Sequence, residues 1–153
     1  MNDDALIALS AGVATALRAH SPDWGIPFTV REVVIPTKPA KDCENLELLV
    51  WMDPEGEETE QYSKTLINET AYINVSIVQR VESDAAFRGL IAFSSKAKKE
   101  RLPPIAAVDS VWAHKPAENK WLQRYNPYTI QQDENGLTGE FIAVIAIAFR
   151  RVI

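Results

Sequence analysis

The chain has one cysteine, Cys43, two histidines and six glycines in 153 residues. A single cysteine excludes an internal disulfide and fits a reducing compartment. No paired Cys or His spacing offers a zinc site. The glycines are scattered, so there is neither a phosphate loop nor a Gly-x-Gly-x-x-Gly fingerprint. The longest apolar run, Phe141 to Phe149, is nine residues, far short of a helical membrane span. The start, Met1-Asn-Asp-Asp, is acidic where a signal peptide is basic, so no export is expected. Without export, the glycosylation patterns at Asn68 and Asn74 carry no weight. Positive charge is in deficit: 16 Lys and Arg against 21 Asp and Glu, a net charge of −5. That balance argues against a chain that coats nucleic acid over a broad surface.

What is present suits one domain spanning residues 1–153, since a chain of this size buries roughly 70% of its unfolded surface. Its most informative segment runs from Gly139 to Ile153. Phe141, Ala143, Ile145, Ile147 and Phe149 fall on one face of a strand, and Ile142, Val144, Ala146 and Ala148 on the other. Both faces are apolar, so this strand requires cover on both sides. An edge of that kind invites pairing with another chain. The segment is therefore expected at the centre of a sheet or at an assembly surface.

The rest of the chain supplies its company. Asn2, Asp3 or Asp4 caps a first helix with a stripe of Leu6, Leu9, Val13 and Leu17, widened by Ile7 and Ala14; Ser21-Pro22 stops it. Phe28 to Ile35 and Leu46 to Met52 read as strands. Asp53 to Glu60, with five carboxylates in eight positions, reads as a solvated or ligand-binding loop. Ala71, Ile73, Val75 and Ile77 alternate with more polar neighbours as a third strand. Ser83 or Asp84 caps a second helix with an inner stripe of Phe87, Leu90, Ile91 and Ser94. Lys96, Lys98, Lys99 and Arg101 complement the dipole at its end. Ile105 to His114 is a fourth strand. Residues 115–139 form a long arm, and arms of this length are usually functional or partner-facing.

The first three strands follow one another by short links, which predicts antiparallel neighbours. The expected fold is α+β: a two-layer, mostly antiparallel mixed sheet of about four to five strands with two helices packed on one face. The other face is then wet or covered by another subunit.

Residues that could carry catalysis are few. His20 precedes a helix-ending proline, where electrostatics alone favour a histidine. Asp109, Ser110 and His114 lack the spacing and the nucleophile elbow of a hydrolytic triad. Cys43 lies between Asp42 and Glu44, which raise rather than lower a thiol pKa. The acidic stretch lacks the ligand alternation of an EF-hand. No catalytic, cofactor or metal residue is assigned, and the chain is not expected to be an enzyme. Trp51 and Trp112 are expected in the core. Trp24 and Trp121 either anchor interfaces or pack beneath their own loops. The Lys96–Arg101 patch could touch nucleic acid, but more often such a patch is a solvated helix end, or it docks on an acidic neighbour such as the Asp53 stretch of another copy.

Taken in order, Ile26-Pro-Phe-Thr-Val-Arg-Glu-Val-Val-Ile-Pro36 after a capped helix, Leu46 to Pro54, Thr70 to Val81, Tyr125-Asn-Pro-Tyr128 and Phe141 to Arg150 resemble a known family. It is that of the tail terminator and neck (head–tail joining) proteins of tailed bacteriophages. The resemblance covers about residues 5 to 150. It implies a non-enzymatic virion component without cofactor, found in the tail or neck and, during assembly, in the host cytoplasm. Such proteins form rings, commonly hexamers, that cap the tail tube and join it to the head. The implied partners are further copies of the chain, the tail tube protein, a head-closure or connector protein and a sheath protein. DNA passes through the channel without specific binding, and no membrane is involved. Trp24, Trp121, Tyr125, Tyr128, Lys96, Lys98, Lys99 and Arg101 are the expected assembly residues. Asp53, Glu55, Glu57, Glu58 and Glu60 form a candidate channel-facing loop. The competing readings are another virion part, such as a head-closure or sheath-associated protein, and a small α+β ligand-binding or enzymatic domain.

Overall fold

The computed structural model describes residues 3–19, 28–33, 45–61, 67–98, 112–124, 130–133 and 136–152. The elements are α1 (Asp3–Ala19), β1 (Thr29–Glu32), β2 (Glu47–Gln61), β3 (Ile67–Val81), α2 (Asp84–Lys98), β4 (Ala113–His114), β5 (Lys120–Gln123), β6 (Ile130–Asp133) and β7 (Gly136–Val152). The fold is α+β. The sheet runs β1-β2-β3-β7-β4, with β5 and β6 also paired to β7. Because β4, β5 and β6 lie in tandem along the same flank of β7, the sheet is five strands across.

The doubly apolar segment lies inside the sheet, as its two greasy faces demand. From Gly139 to Val152 one flank of β7 pairs antiparallel with β3. The other flank takes β6 at residues 136–139, β5 at 144–146 and β4 at 149–150. Gly139 pairs with Val81 on one side and Ile130 on the other, where β7 passes from one partner to two. Its φ of 153° lies in a region that residues with a Cβ avoid.

Both helices cover one face. Leu9, Val13, Ala14 and Leu17 of α1 and Leu90 and Phe93 of α2 join a single cluster with Leu48, Val50, Ile73, Val75, Ile77, Phe141, Ile145, Ile147 and Phe149. Burying each large member contributes about 1.5–3 kcal/mol. Leu9, Val13, Ala14 and Leu17 of the α1 stripe are buried as their spacing predicts, whereas Ile7, at the border of the stripe, is 54% exposed. Ser83 caps α2: its Oγ accepts from the Ala86 N–H at 3.1 Å.

Two expectations are corrected. β1 and β2 are parallel, with Thr29 opposite Glu47 and Glu32 opposite Val50. The link through residues 33–46 is long enough for the chain to return to the same end, so sequence adjacency does not dictate antiparallel pairing. The acidic stretch is not a loop, since its backbone belongs to β2. After a register shift between Met52 and Glu57, Glu57 to Gln61 pair with Ala71 to Ile67 of β3. Ladder hydrogen bonds are made by the backbone, and the irregularity takes up Pro54 and Gly56. The strand expected from Ile105 lies outside the described residues up to 111; of it, Ala113 and His114 form β4.

Candidate assembly surface

The sheet's two lateral edges differ in construction. At β1, the Thr29 N–H donates to Leu46 O and the Val33 N–H to Val50 O, so alternate residues address β2 and the Val30 carbonyl points outward. Arg18 of α1 donates to that carbonyl from both Nε and Nη2, each at 3.2 Å. Arg31, beside it, pairs with Glu47 at 3.2 Å. This edge is short, charged and occupied by a side-chain donor, all features that discourage strand addition.

The opposite edge is built from the arm. The Lys115 N–H donates to Ala148 O at 2.9 Å, and Asn119 Oδ1 accepts from the Ala148 N–H at 3.0 Å. A buried side-chain carbonyl thus supplies the acceptor where the backbone ladder is interrupted between β4 and β5. Arg150 of β7 binds Glu118 and reaches Thr70 Oγ1 at 3.5 Å. Trp112 is buried just before β4, with the Arg151 guanidinium 4.5 Å from its ring centroid. Arg151 in turn pairs with Glu69 at 2.8 Å.

Within β5 the register shifts between Trp121 and Gln123, so Leu122 is the extra residue of a bulge and stands 47% exposed. Trp121, opposite Ile145, packs half-buried against the main core. It lies beneath its own arm, one of the two placements open from the sequence. Lys120 and Arg124 are exposed on either side of Leu122. Lys120 Nζ lies 4.2 Å from the Tyr72 ring centroid and Arg124 Cζ lies 5.6 Å from that of Trp121. Such contacts are worth about 0.5–1 kcal/mol at exposed sites and hold the cations in place without neutralising them.

The sheet face turned away from the helices carries a smaller apolar cluster: Leu49 and Val78, flanked by Val33 and Ile142. Trp51 belongs to this face and is only half-buried, not part of the main core; its indole N–H donates to Ser76 Oγ at 2.9 Å. Asn74 lies between Trp51 and Ala146 in the register. It is 1% exposed, and neither its Oδ1 nor its Nδ2 has a hydrogen-bond partner. On the helix face, Leu17, Phe93, Leu48, Ile77 and Ile147 line an apolar void of about 10 Å³, room for no more than a water-sized molecule.

Among the expected assembly residues, three are described. Trp121 lies in β5 at the arm edge. Lys96 is exposed on α2, and Lys98 is the last residue of that helix. Trp24, Lys99, Arg101, Tyr125 and Tyr128 lie outside the described residues, as do His20, Cys43, Asp109 and Ser110. Asp53, Glu55, Glu57, Glu58 and Glu60 are placed in β2 by their backbone. Sequence reasoning missed Asn119, Asn74, Lys120, Leu122 and Arg124. Only the strand register, which no local pattern encodes, gives them their roles. No protein-family model matches the chain, and no curated protein matches it.

Proposed function

We propose that this chain is a structural virion protein of a tailed phage: a tail terminator or closely related neck component that assembles into a ring, caps the tail tube and joins it to the head. The order of strands and arms carries the resemblance, and one structural observation supports a role in assembly. The sheet has one edge occupied by Arg18 and another, made by the arm, where exposed Leu122 stands between Lys120 and Arg124. A molecule whose opposite edges differ in this way is suited to head-to-tail association, the kind of contact that generates rings when the rotation closes. Its action is mechanical: the ring ends tube growth and offers a docking face to the head. Tail tube, head-closure or connector, and sheath proteins are its neighbours in this reading, and DNA crosses the ring without specific binding.

The test is electron microscopy of the purified protein combined with co-sedimentation on assembled tail tubes. Rings, or particles capping tube ends, are expected. A protein that is monomeric at every concentration and ignores tubes overturns the reading.

A further inference from the structure

Arg31, Arg80, Arg88, Arg150 and Arg151 each pair with a carboxylate of the same chain, and Arg18 is taken up by the Val30 carbonyl. Among the described residues, Lys120 and Arg124 of the arm meet aromatic rings and no carboxylate. Among the described residues, the arm edge therefore carries positive charge that no carboxylate compensates, in a chain whose net charge is −5. It also has an unpaired flank, since β5 pairs with β7 alone among the described strands.

At the far side of the same sheet, β1 covers β2 only from Glu47 to Val50. Beyond Val50 no described strand pairs with that flank of β2, although β2 continues to Gln61 and, after its register shift, pairs with β3 again from Glu57 onward. This uncovered length is where the sequence sets Asp53, Glu55, Glu57, Glu58 and Glu60. The segment in regular register, Glu57 to Gln61, matches β5 and Arg124 in length, about five residues each. Among the described residues, one sheet thus has two strand flanks of similar length without a strand partner, on opposite sides, one carrying Lys120, Leu122 and Arg124 and the other formed by a stretch whose sequence is acidic. Opposite charges across such a contact fix register and partner.

We propose that the arm edge of one subunit, Lys120 to Arg124, docks along the outer flank of β2, Glu57 to Gln61, in a second copy of the chain. The inference rests on the ring reading and names the surfaces that join its subunits. The contact is heterologous: each copy offers its arm to one neighbour and its β2 flank to another, so copies add in one direction. The bulge at Leu122 keeps this edge from pairing indiscriminately and leaves the leucine for the partner to cover.

Charge reversal in both directions tests it. Three full-length variants are compared with the wild type by light scattering, with circular dichroism to confirm the fold: Lys120→Glu with Arg124→Glu, Glu57→Lys with Glu58→Lys, and all four together. Each pair alone is expected to weaken self-association at least tenfold, and the fourfold variant to restore it. Wild-type oligomers are expected to dissociate as salt rises from about 0.05 M to about 1 M, where the Debye length shrinks to roughly 3 Å. That measurement needs no variant to fold. Oligomers unaffected by either reversal and by salt overturn the proposed contact while leaving the ring reading intact. A wild type that stays monomeric yet caps tubes also overturns the contact. One that stays monomeric and ignores tubes overturns both.

Discussion

Glu69 and Arg151 face each other directly in the β3–β7 ladder and form an ion pair at 2.8 Å, with side chains only 5% and 16% exposed. The guanidinium also lies over the Trp112 ring, so one arginine ties β3, β7 and the start of the arm together. Removing one partner strands the other in a poorly solvated site. Arg151→Ala is expected to cost about 3–5 kcal/mol, read as a lower urea midpoint with unchanged slope. Replacing both residues with leucine is expected to recover most of that loss. A double variant no better than the single would show that the pair itself is not what matters.

Asn119 is expected to behave as part of the sheet although it lies outside any strand. Its Oδ1 is the acceptor for the Ala148 N–H. Asn119→Ala leaves that buried donor unpaired, at about 1–3 kcal/mol. Amide hydrogen exchange is the direct readout: the Ala148 N–H loses protection selectively, ahead of its neighbours in β7. Unchanged protection would mean that the ladder does not depend on the side chain.

Asn74 points the other way. Its amide is buried with neither atom paired. Asn74→Val keeps a similar volume, suits a strand and removes a desolvation cost. The isolated protein is expected to gain about 1 kcal/mol or more, seen as a rise of about 2–4 °C in Tm. A fall in Tm would show that the amide is satisfied within the folded chain.

Ile147 and Leu122 give a contrast of position at similar chemistry. Ile147 is 1% exposed between the helices and the sheet. Ile147→Ala is expected to cost about 2–5 kcal/mol, enlarging a void that already exists. Leu122→Ser on the exposed bulge should change the monomer by less than about 0.5 kcal/mol. Its effect belongs to association, and thermal unfolding at low concentration separates the two.

The sequence announced those parts of the fold whose side chains alone decide them. Leu9, Val13 and Leu17 recur at helical spacing, Ser83 caps α2, and the alternation from Phe141 to Phe149 called for a strand covered on both faces. It was silent where the backbone decides. Nothing in five carboxylates within eight positions suggests a strand, because the ladder to β3 is indifferent to them. The parallel β1–β2 pair depends on how the 33–46 link travels, and Ile7 looked like stripe only because the helix was read one residue too wide. The arm edge was hidden for a similar reason. β5 is four residues of mixed character, and Lys120, Leu122 and Arg124 acquire meaning only when β7 fixes which way each one faces.

β7 comes after every strand it organises. While the chain is being synthesised, β3 has one flank without its main partner, and the arm segments have no scaffold at all. The sheet therefore cannot consolidate piecemeal from the amino-terminal side; its contacts are long-range, and assembly waits for one late ribbon. Until then the nascent polypeptide displays the oily rows of β2 and β3 to solvent. Its yield in a cell should accordingly rise with holdase capacity, and ribosome-stalled products lacking that ribbon should be rapidly degraded.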